Sequence, residues 1–431
     1  MRKKKKVSVL TLGCSKNTVD SERLLNQLKV NNFDLREDPN DAETVIINTC
    51  GFIESAKQES INTIINAVNL KQEGILKKVI VAGCLSERYK NELVKEIPEV
   101  DAYFGTENYE GILKKLGGEL KHNLLGERLL TSPSHTAYLK ISEGCDHPCS
   151  FCAIPLMRGK HKSKTKEDLI RETEFLARNN TRELIIIAQD TTDYGIDIYG
   201  KRILGDLLNE LSEINGIEWI RLMYAYPSKF PDSLINIIAN NSKICNYIDI
   251  PLQHISDNVL KSMRRGITAK RTKELIYRLK ENIPDLALRT TFIVGYPNET
   301  EKDFKELYDF VNEIKFDHMG VFTFSVEDNT ASFILGDPVK DELKEDRKNI
   351  LMEIQKEFSL EKNKSLKGKK LNVLLENKEN DYFIGRTYRD APEIDGEFLI
   401  KGNQDKIEFG KFYTAEILDC NEYDLFGKFV R

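Results

Sequence analysis

Glu143-Gly144-Cys145-Asp146-His147-Pro148-Cys149-Ser150-Phe151-Cys152 sets three cysteines at the spacing C-x3-C-x2-C, directly after the alternating apolar run Ala137–Ile141. The alternation reads as a strand, and the cysteines as the loop that follows it. Thiolates are soft ligands, so a tight group of them points to zinc or to an iron–sulfur cluster. Closed zinc sites and ordinary clusters take four ligands. Here the local count stops at three. His147 could be a fourth, but Pro148 beside it and the tight spacing make that awkward. Three thiolates on a four-iron cluster leave one iron open, as a catalytic metal keeps a position for its substrate.

Downstream of this loop, strands and helices alternate. Strands are expected at Ala137–Ile141, Glu183–Ala188, Trp219–Met223, Tyr247–Ile250, Ala287–Val294 and His318–Phe324, with helices such as Lys166–Arg178 and Ala269–Asn282 between them. Six such units predict a partial, TIM-like (β/α)6 barrel, whose function sits on the loops after the strands. Those loops carry the three cysteines, Gln189-Asp190, Tyr224-Ala225-Tyr226-Pro227, Pro251-Leu252-Gln253-His254, Gly295-Tyr296-Pro297 and Ser325.

Upstream, strands Val7–Leu12, Thr44–Asn48, Lys78–Ala82 and Asp101–Phe104 alternate with helices Ser21–Val30, Ser55–Leu70 and Lys90–Ile97, which predicts an open parallel sheet. The first three strands end in Leu12-Gly13-Cys14, Asn48-Thr49-Cys50-Gly51 and Ala82-Gly83-Cys84. Parallel strands end along one edge, where open α/β sheets bind ligands. Free cysteines are often merely buried, yet three of three beside a glycine favours a second three-thiolate cluster. Residues 107–134, with Gly117-Gly118, read as a joint.

At the other end, Asp341–Lys364 reads as an amphipathic connector with Ile350, Leu351, Ile354 and Phe358 on its apolar stripe. Five short strands after Ser365 predict a small antiparallel β-barrel of OB-like type. The expected domains are 1–130, 131–365 and 366–431.

Composition agrees. Lys+Arg 64 against Asp+Glu 69 gives net −5, which argues against a chain held mainly by nucleic-acid phosphates. No apolar run nears the ~20 residues of a membrane helix. Arg2 to Lys6, then Val7 to Cys14, superficially suggest a lipoprotein signal. The apolar part alternates, so it reads as a first strand behind a solvated basic tail. Eight cysteines in 431 residues are no disulfide scaffold; thiolate ligation in a reducing cytoplasm is expected.

Two cysteine triads followed by a small barrel closely resemble the methylthiotransferases of the radical S-adenosylmethionine superfamily over essentially the whole chain. The resemblance implies a C-terminal TRAM barrel. It implies that Cys14, Cys50 and Cys84 hold an auxiliary 4Fe–4S cluster. Cys145, Cys149 and Cys152 would hold the cluster that cleaves S-adenosylmethionine to a 5′-deoxyadenosyl radical. A family motif, Gly-x-Ile-x-Gly-x-x-x-Glu, maps to Thr291 through Glu299: Ile293, Gly295 and Glu299 match, and Thr291 replaces the first glycine. With Gln189, these are the expected cofactor-binding residues.

Three strings, Leu12 to Glu22, Ala188 to Gly195 and Gly385 to Gly396, look like the branch that modifies an aspartate of small-subunit ribosomal protein twelve. The last sixty-six residues hold eleven Lys+Arg and thirteen Asp+Glu. A mildly acidic barrel suits a basic ribosomal protein better than RNA. The resemblance implies sulfur delivery from the auxiliary cluster to the aspartate β-carbon, methylation by a second S-adenosylmethionine, a sulfur donor, and a reductant such as flavodoxin or ferredoxin. A cytoplasmic monomer is expected. Two readings stand beside it: methylthiolation of a transfer-RNA adenosine, and a non-catalytic iron–sulfur electron carrier. Cys245 and Cys420 read as structural, Lys160 to Lys166 as a cover for the cluster loop or, in preference, as solvated, and Arg158 as approaching the cofactor carboxylate.

Overall fold

The computed structural model describes residues 4–402 and 406–430; Arg2 and Lys3 of the basic tail lie outside them. Contacts divide the chain into two compact units. The first is Met1–Thr131, Tyr138–Asp146 and Cys152–Phe175; the second is Ser132–Ala137, His147–Phe151 and Leu176–Arg431.

The first unit opens with β1 (Lys6–Thr11), α1 (Ser15–Val30), β2 (Asp34–Arg36), β3 (Thr44–Thr49), α2 (Glu54–Gln72), β4 (Lys78–Gly83), α3 (Cys84–Glu96), β5 (Ala102–Tyr103) and α4 (Tyr109–Leu116). The strands lie in the order β2-β1-β3-β4-β5, every pairing parallel. β3 is buried along its whole length, as a central strand covered on both faces must be. Alternation divides the core. Val45, Ile47, Val79 and Val81 pack with Ile64 and Val68 of α2. Ile46 and Ile80 pack with Leu24 and Leu28 of α1 and Leu113 of α4.

Two helices start six residues earlier than expected. α1 begins at Ser15 rather than Ser21 because its buried face is polar: Asn17, Asp20, Ser21, Glu22 and Arg23 are all buried. Apolar periodicity cannot detect such a face. α3 begins at Cys84 rather than Lys90, with non-helical Tyr89 marking a kink. The expected joint at 107–134 contains α4. Its Asn108 side chain accepts from Gly111 N, and Gly117 ends it at φ 86.

The chain continues through β6 (Thr136–Lys140), β7 (Ser142–Glu143), α5 (Ile154–Arg158), β8 (Lys162–Ser163), α6 (Lys166–Arg178), β9 (Glu183–Ile187), α7 (Leu204–Ser212), β10 (Trp219–Leu222), α8 (Asp232–Asn240), β11 (Ile244–Asp249), α9 (Asp257–Ser262), α10 (Ala269–Asn282), β12 (Ala287–Val294), α11 (Glu301–Ile314) and β13 (His318–Thr323). Strand order β13-β12-β11-β10-β9-β6 is the expected six-stranded open barrel sheet.

α12 (Asp341–Ser365) departs from expectation. It buries Lys344, Arg347, Leu351 and Gln355, while Ile350 of the expected stripe is 43% exposed. On its inner face Lys344 and Arg347 are held by ion pairs and Gln355 by backbone carbonyls, with Leu351 of the expected stripe buried among them. β14 (Lys370–Glu379), β15 (Tyr382–Arg386), β16 (Phe398–Lys401), β17 (Phe412–Cys420) and β18 (Leu425–Phe429) then close a barrel. Four of its pairings are antiparallel; β16 and β18 run parallel, which the antiparallel expectation missed. Among the described residues no helix is long and apolar enough to cross a membrane.

Candidate metal centre

In the first unit, β1, β3 and β4 end together. A Cβ on Gly13 would lie 2.6 Å from Cys50 Cβ and 2.9 Å from its Sγ; one on Gly51 would lie 2.8 Å from Leu85 Cα, next to Cys84. Only glycine lets these ends approach so closely, and Gly13 and Gly83 also hold φ 89 and 96. Asn17, on the first turn of α1, ties the ends together. Its Nδ2 donates to Leu12 O at 2.7 Å and Thr49 O at 3.1 Å, and its Oδ1 accepts from Cys84 Sγ at 3.8 Å.

Burial pushes the Cys84 thiol up to about 12, with Cys14 and Cys50 adding to the rise and Arg158 opposing it. Burial likewise raises Cys50, and Cys14 adds to that. The three thiols are therefore close enough to act on one another electrostatically. Cys14 caps α1 and Cys84 begins α3, so two helix N-termini lower the cost of thiolates there. Soft donors, backbone room and partial positive charge fit an iron–sulfur group.

Behind this corner lies a buried charge network in the same unit. Arg158 Nη1 donates to Glu143 Oε1 at 2.8 Å and Asp20 Oδ2 at 3.2 Å; its Nη2 donates to Asn17 Oδ1 at 2.5 Å. It is thus engaged by protein groups rather than free for the cofactor carboxylate expected from sequence. Lys140 Nζ is held by Asp20, by Glu107 at 2.8 Å and by Glu143 at 2.5 Å. Burial, which would raise the Glu143 carboxyl, is outweighed by Lys140 and Arg158, and it is held down to about 2. Asp20, Glu107 and Glu143 could hold a metal ion, but the Lys140 ammonium already sits among them.

Cys145 and Cys152 belong to the first unit. Cys145 N donates to Gly159 O at 3.1 Å. A Cβ on Gly144 would lie 2.1 Å from Lys160 O, so glycine is required at the loop's base. Cys149 belongs to the second unit. Arg265 Nη1 donates to its Sγ at 3.4 Å, and Tyr226 Oη lies 3.5 Å from the same sulfur. The neighbouring Ser150 is fixed from several sides: its N donates to Met263 O, its Oγ to Ser262 O, and its carbonyl accepts from Ser332 N.

His147 stacks on Tyr226, ring centroids 3.7 Å apart, and its Nε2 lies 2.6 Å from Asp190 Oδ2. That nitrogen is committed to a carboxylate, which disfavours His147 as a fourth ligand. Gln189 follows β9, and Ile293 packs with Val259, Met263 and Tyr296. Gly295 holds φ 73, where a Cβ would meet Lys344 Cγ at 2.3 Å. Glu299 is buried beneath this turn. It accepts from Gly295 N at 2.7 Å, Tyr296 N at 3.3 Å and Arg347 Nη1 at 2.9 Å. Burial raises its carboxyl to about 7, against the pull of Arg347 and the two N–H groups. It braces the turn from behind. His254 is fully buried, accepts from Ser256 N at 3.0 Å, and is pushed down to about 3 by burial.

Residues 139–311 match the Radical SAM superfamily and residues 368–430 the TRAM domain; residues 6–105 match a family described as Uncharacterized protein family UPF0004. The chain is 51% identical over 430 residues to the ribosomal protein uS12 methylthiotransferase RimO of Cytophaga hutchinsonii, covering 99% of this chain and 98% of that one. Against the protein of the same name from Bacteroides fragilis the identity is 47%, covering 99% and 100%. The chain belongs to the RimO family of radical SAM methylthiotransferases. Membership carries a 4Fe–4S cluster and S-adenosylmethionine. The fold is also similar to that of the radical S-adenosylmethionine methyltransferase TsrM from Kitasatospora setae, with TM-score 0.58 and 13% identity over 77% of this chain and 75% of that one. The cobalamin-dependent S-adenosylmethionine radical enzyme OxsB gives 0.53 and 13%, over 81% and 56%.

One string that had marked the ribosomal-protein branch, Gly385 to Gly396, seats the C-terminal barrel of this RimO-family enzyme. Arg386 donates to Glu183 at 2.6 Å, Arg221 to the carbonyls of Tyr388 and Thr387, and Tyr247 to Asp395 at 2.7 Å. The residues that sequence reasoning missed as site members are Asn17, Asp20, Lys140 and Arg265. Asn17 and Asp20 lie within Leu12 to Glu22, but nothing in that stretch distinguishes them from a solvated helix face.

Proposed function

We propose that this chain adds a methylthio group to the β-carbon of an aspartate in small-subunit ribosomal protein uS12, using two 4Fe–4S clusters and S-adenosylmethionine. The observation that carries the reading is the meeting of Cys14, Cys50 and Cys84 at one sheet edge, three donors with no fourth cysteine in either motif. On this reading they hold the auxiliary cluster, and Cys145, Cys149 and Cys152 hold the cluster that meets S-adenosylmethionine. Bound there, the groups would supply a 5′-deoxyadenosyl radical and an open iron able to carry sulfur.

The chain's own residues position and exclude. An aspartate β-hydrogen is too weakly acidic for any side-chain base, so no residue is assigned proton abstraction. Ile293 at the end of β12 and Gly295 in the turn after it would meet the cofactor, with Glu299 bracing the turn and Gln189 on the loop after β9. The arginine–carboxylate network around Asp20 is itself buried behind Cys50 and Cys84. The division is 1–130 for the auxiliary cluster, 131–365 for the radical core and 366–431 for the TRAM barrel. The proposed setting is a cytoplasmic monomer served by a sulfur donor and by a flavodoxin or ferredoxin.

The test is mass spectrometry of uS12 and of transfer RNA from a strain lacking this chain. Loss of a methylthio group from uS12 is expected. Loss from transfer RNA alone overturns the substrate. Purified, reconstituted protein that forms no 5′-deoxyadenosine with reductant overturns the chemistry and revives an electron carrier.

A further inference from the structure

We propose that Arg158 is the counter-charge of the Cys14/Cys50/Cys84 site, a positioning residue that sets how readily that site takes iron and an electron. The inference rests on the reading of this triad as a second cluster site. Arg158 closes α5, six residues after Cys152, so by sequence it belongs to the other cysteine motif. Yet its guanidinium, with a side chain only 2% exposed, lies beneath the first triad. Asn17 Oδ1 accepts from both Arg158 Nη2, at 2.5 Å, and Cys84 Sγ, at 3.8 Å. That shared oxygen fixes the cation beside the thiol.

The physical need is plain. A cluster held by three thiolates would bring net negative charge to a place where two of the three sulfurs are buried, and buried charge is costly unless an opposite charge is near. Helix N-termini supply about half a charge each. A guanidinium supplies a full one and cannot give up its proton. Hydrogen bonds and charge near the sulfurs are among the levers that set a cluster's potential. Asp20 and Glu143 hold the fork in place from the other side. Removing the guanidinium would also leave those carboxylates less compensated, so the local field would turn negative.

The test uses the full chain, reconstituted anaerobically with iron and sulfide and titrated with dithionite under electron paramagnetic resonance. Each cluster takes one electron from dithionite, and no protein bond is made or broken. S-adenosylmethionine separates the signals, since it alters the cluster that binds it. For the unaltered signal, Arg158→Gln is expected to disfavour reduction about tenfold, 59 mV for one electron, and to lower the iron bound. Asp20→Asn keeps the shape but removes a carboxylate from the same fork, and is expected to shift the signal the other way. Opposite shifts support the counter-charge. Equal-signed shifts, or none, overturn it. Should Arg158→Gln fail to fold, Asp20→Asn decides alone: an upward shift supports the proposal and no shift overturns it. A wild-type protein holding one cluster only overturns the two-cluster reading itself, and this inference with it.

Discussion

The two cysteine triads are built in opposite ways. Cys145, Cys149 and Cys152 are neighbours along eight residues of one loop. Cys14, Cys50 and Cys84 are neighbours only because β1, β3 and β4 pair in register and stop at one edge. The first arrangement is written in the chain; the second exists only once the sheet has formed. Anything that disturbs the sheet edge should therefore empty the second triad while sparing the first.

The sharpest break of the comparison is removal of one thiol from each. Cys149→Ala is expected to abolish 5′-deoxyadenosine formation and to leave about four irons on the remaining triad. Cys50→Ala should leave 5′-deoxyadenosine formation in place and abolish methylthiolation. Iron counting with product chromatography reads both. Loss of 5′-deoxyadenosine in Cys50→Ala would mean that the triads are not separable.

A backbone variant sharpens the point without touching a ligand. In Gly83→Ala the new Cβ would lie 2.4 Å from Asn48 Oδ1 and 2.6 Å from Thr49 O, at φ 96. Backbone strain of this kind costs about 1–3 kcal/mol, and the clash adds to it. Most of the iron on the Cys14/Cys50/Cys84 triad should go, together with several degrees of melting temperature. Gly200→Ala is the control: it shares a positive φ but meets nothing within 4 Å. Equal losses in both variants would assign the effect to φ alone.

The same contrast explains what was legible. The contiguous motif and the strand ends were readable because short-range spacing and apolar alternation survive in the chain. β12 was expected at Ala287–Val294 and lies there. The early turns of α1 were not readable, since Asn17, Asp20 and Arg23 face a buried charge network and make the helix look solvated. Arg264 and Arg265 are equivalent in the sequence. In the fold Arg264 is exposed at φ 54, whereas Arg265 is 5% exposed and reaches Cys149. No local pattern carries that distinction, because it depends on what the neighbouring loops bring to the residue.

Acid should probe the buried networks that support each unit. Glu172, in the first, is held down to about 2: burial opposes this, but Lys164, Arg23 and Arg128 outweigh it. Glu183, in the second, is also held down to about 2, by Arg386 and Arg221 against its own burial. Each folded pKa is depressed, so each contributes stability above the unfolded value of 4.5. That contribution is lost as pH falls from there through about 2, and is worth roughly 3 kcal/mol per carboxylate. Urea midpoints measured between pH 6 and pH 3 should fall in the wild type. They should fall less steeply in Glu172→Gln and Glu183→Gln, each weaker at neutral pH. Parallel slopes in all three proteins would exclude these carboxylates.

The smallest effect separates two partners of one sulfur. Arg265 Nη1 donates toward Cys149 Sγ, whereas the Tyr226 hydroxyl donates to Arg265 O at 2.9 Å. Once Cys149 is a thiolate ligand it has no proton to offer, so Arg265 is the donor that remains aimed at the sulfur. Arg265→Met should therefore disfavour reduction of the S-adenosylmethionine-sensitive cluster severalfold, and Tyr226→Phe should do so much less. Because Arg265 also stacks over Tyr226, 4.2 Å from the ring centroid, Arg265→Lys is needed as a partial rescue. A Tyr226→Phe shift as large as that of Arg265→Met would show that the two act as one packed unit, and that the N–H···S bond is not what tunes the loop's cluster.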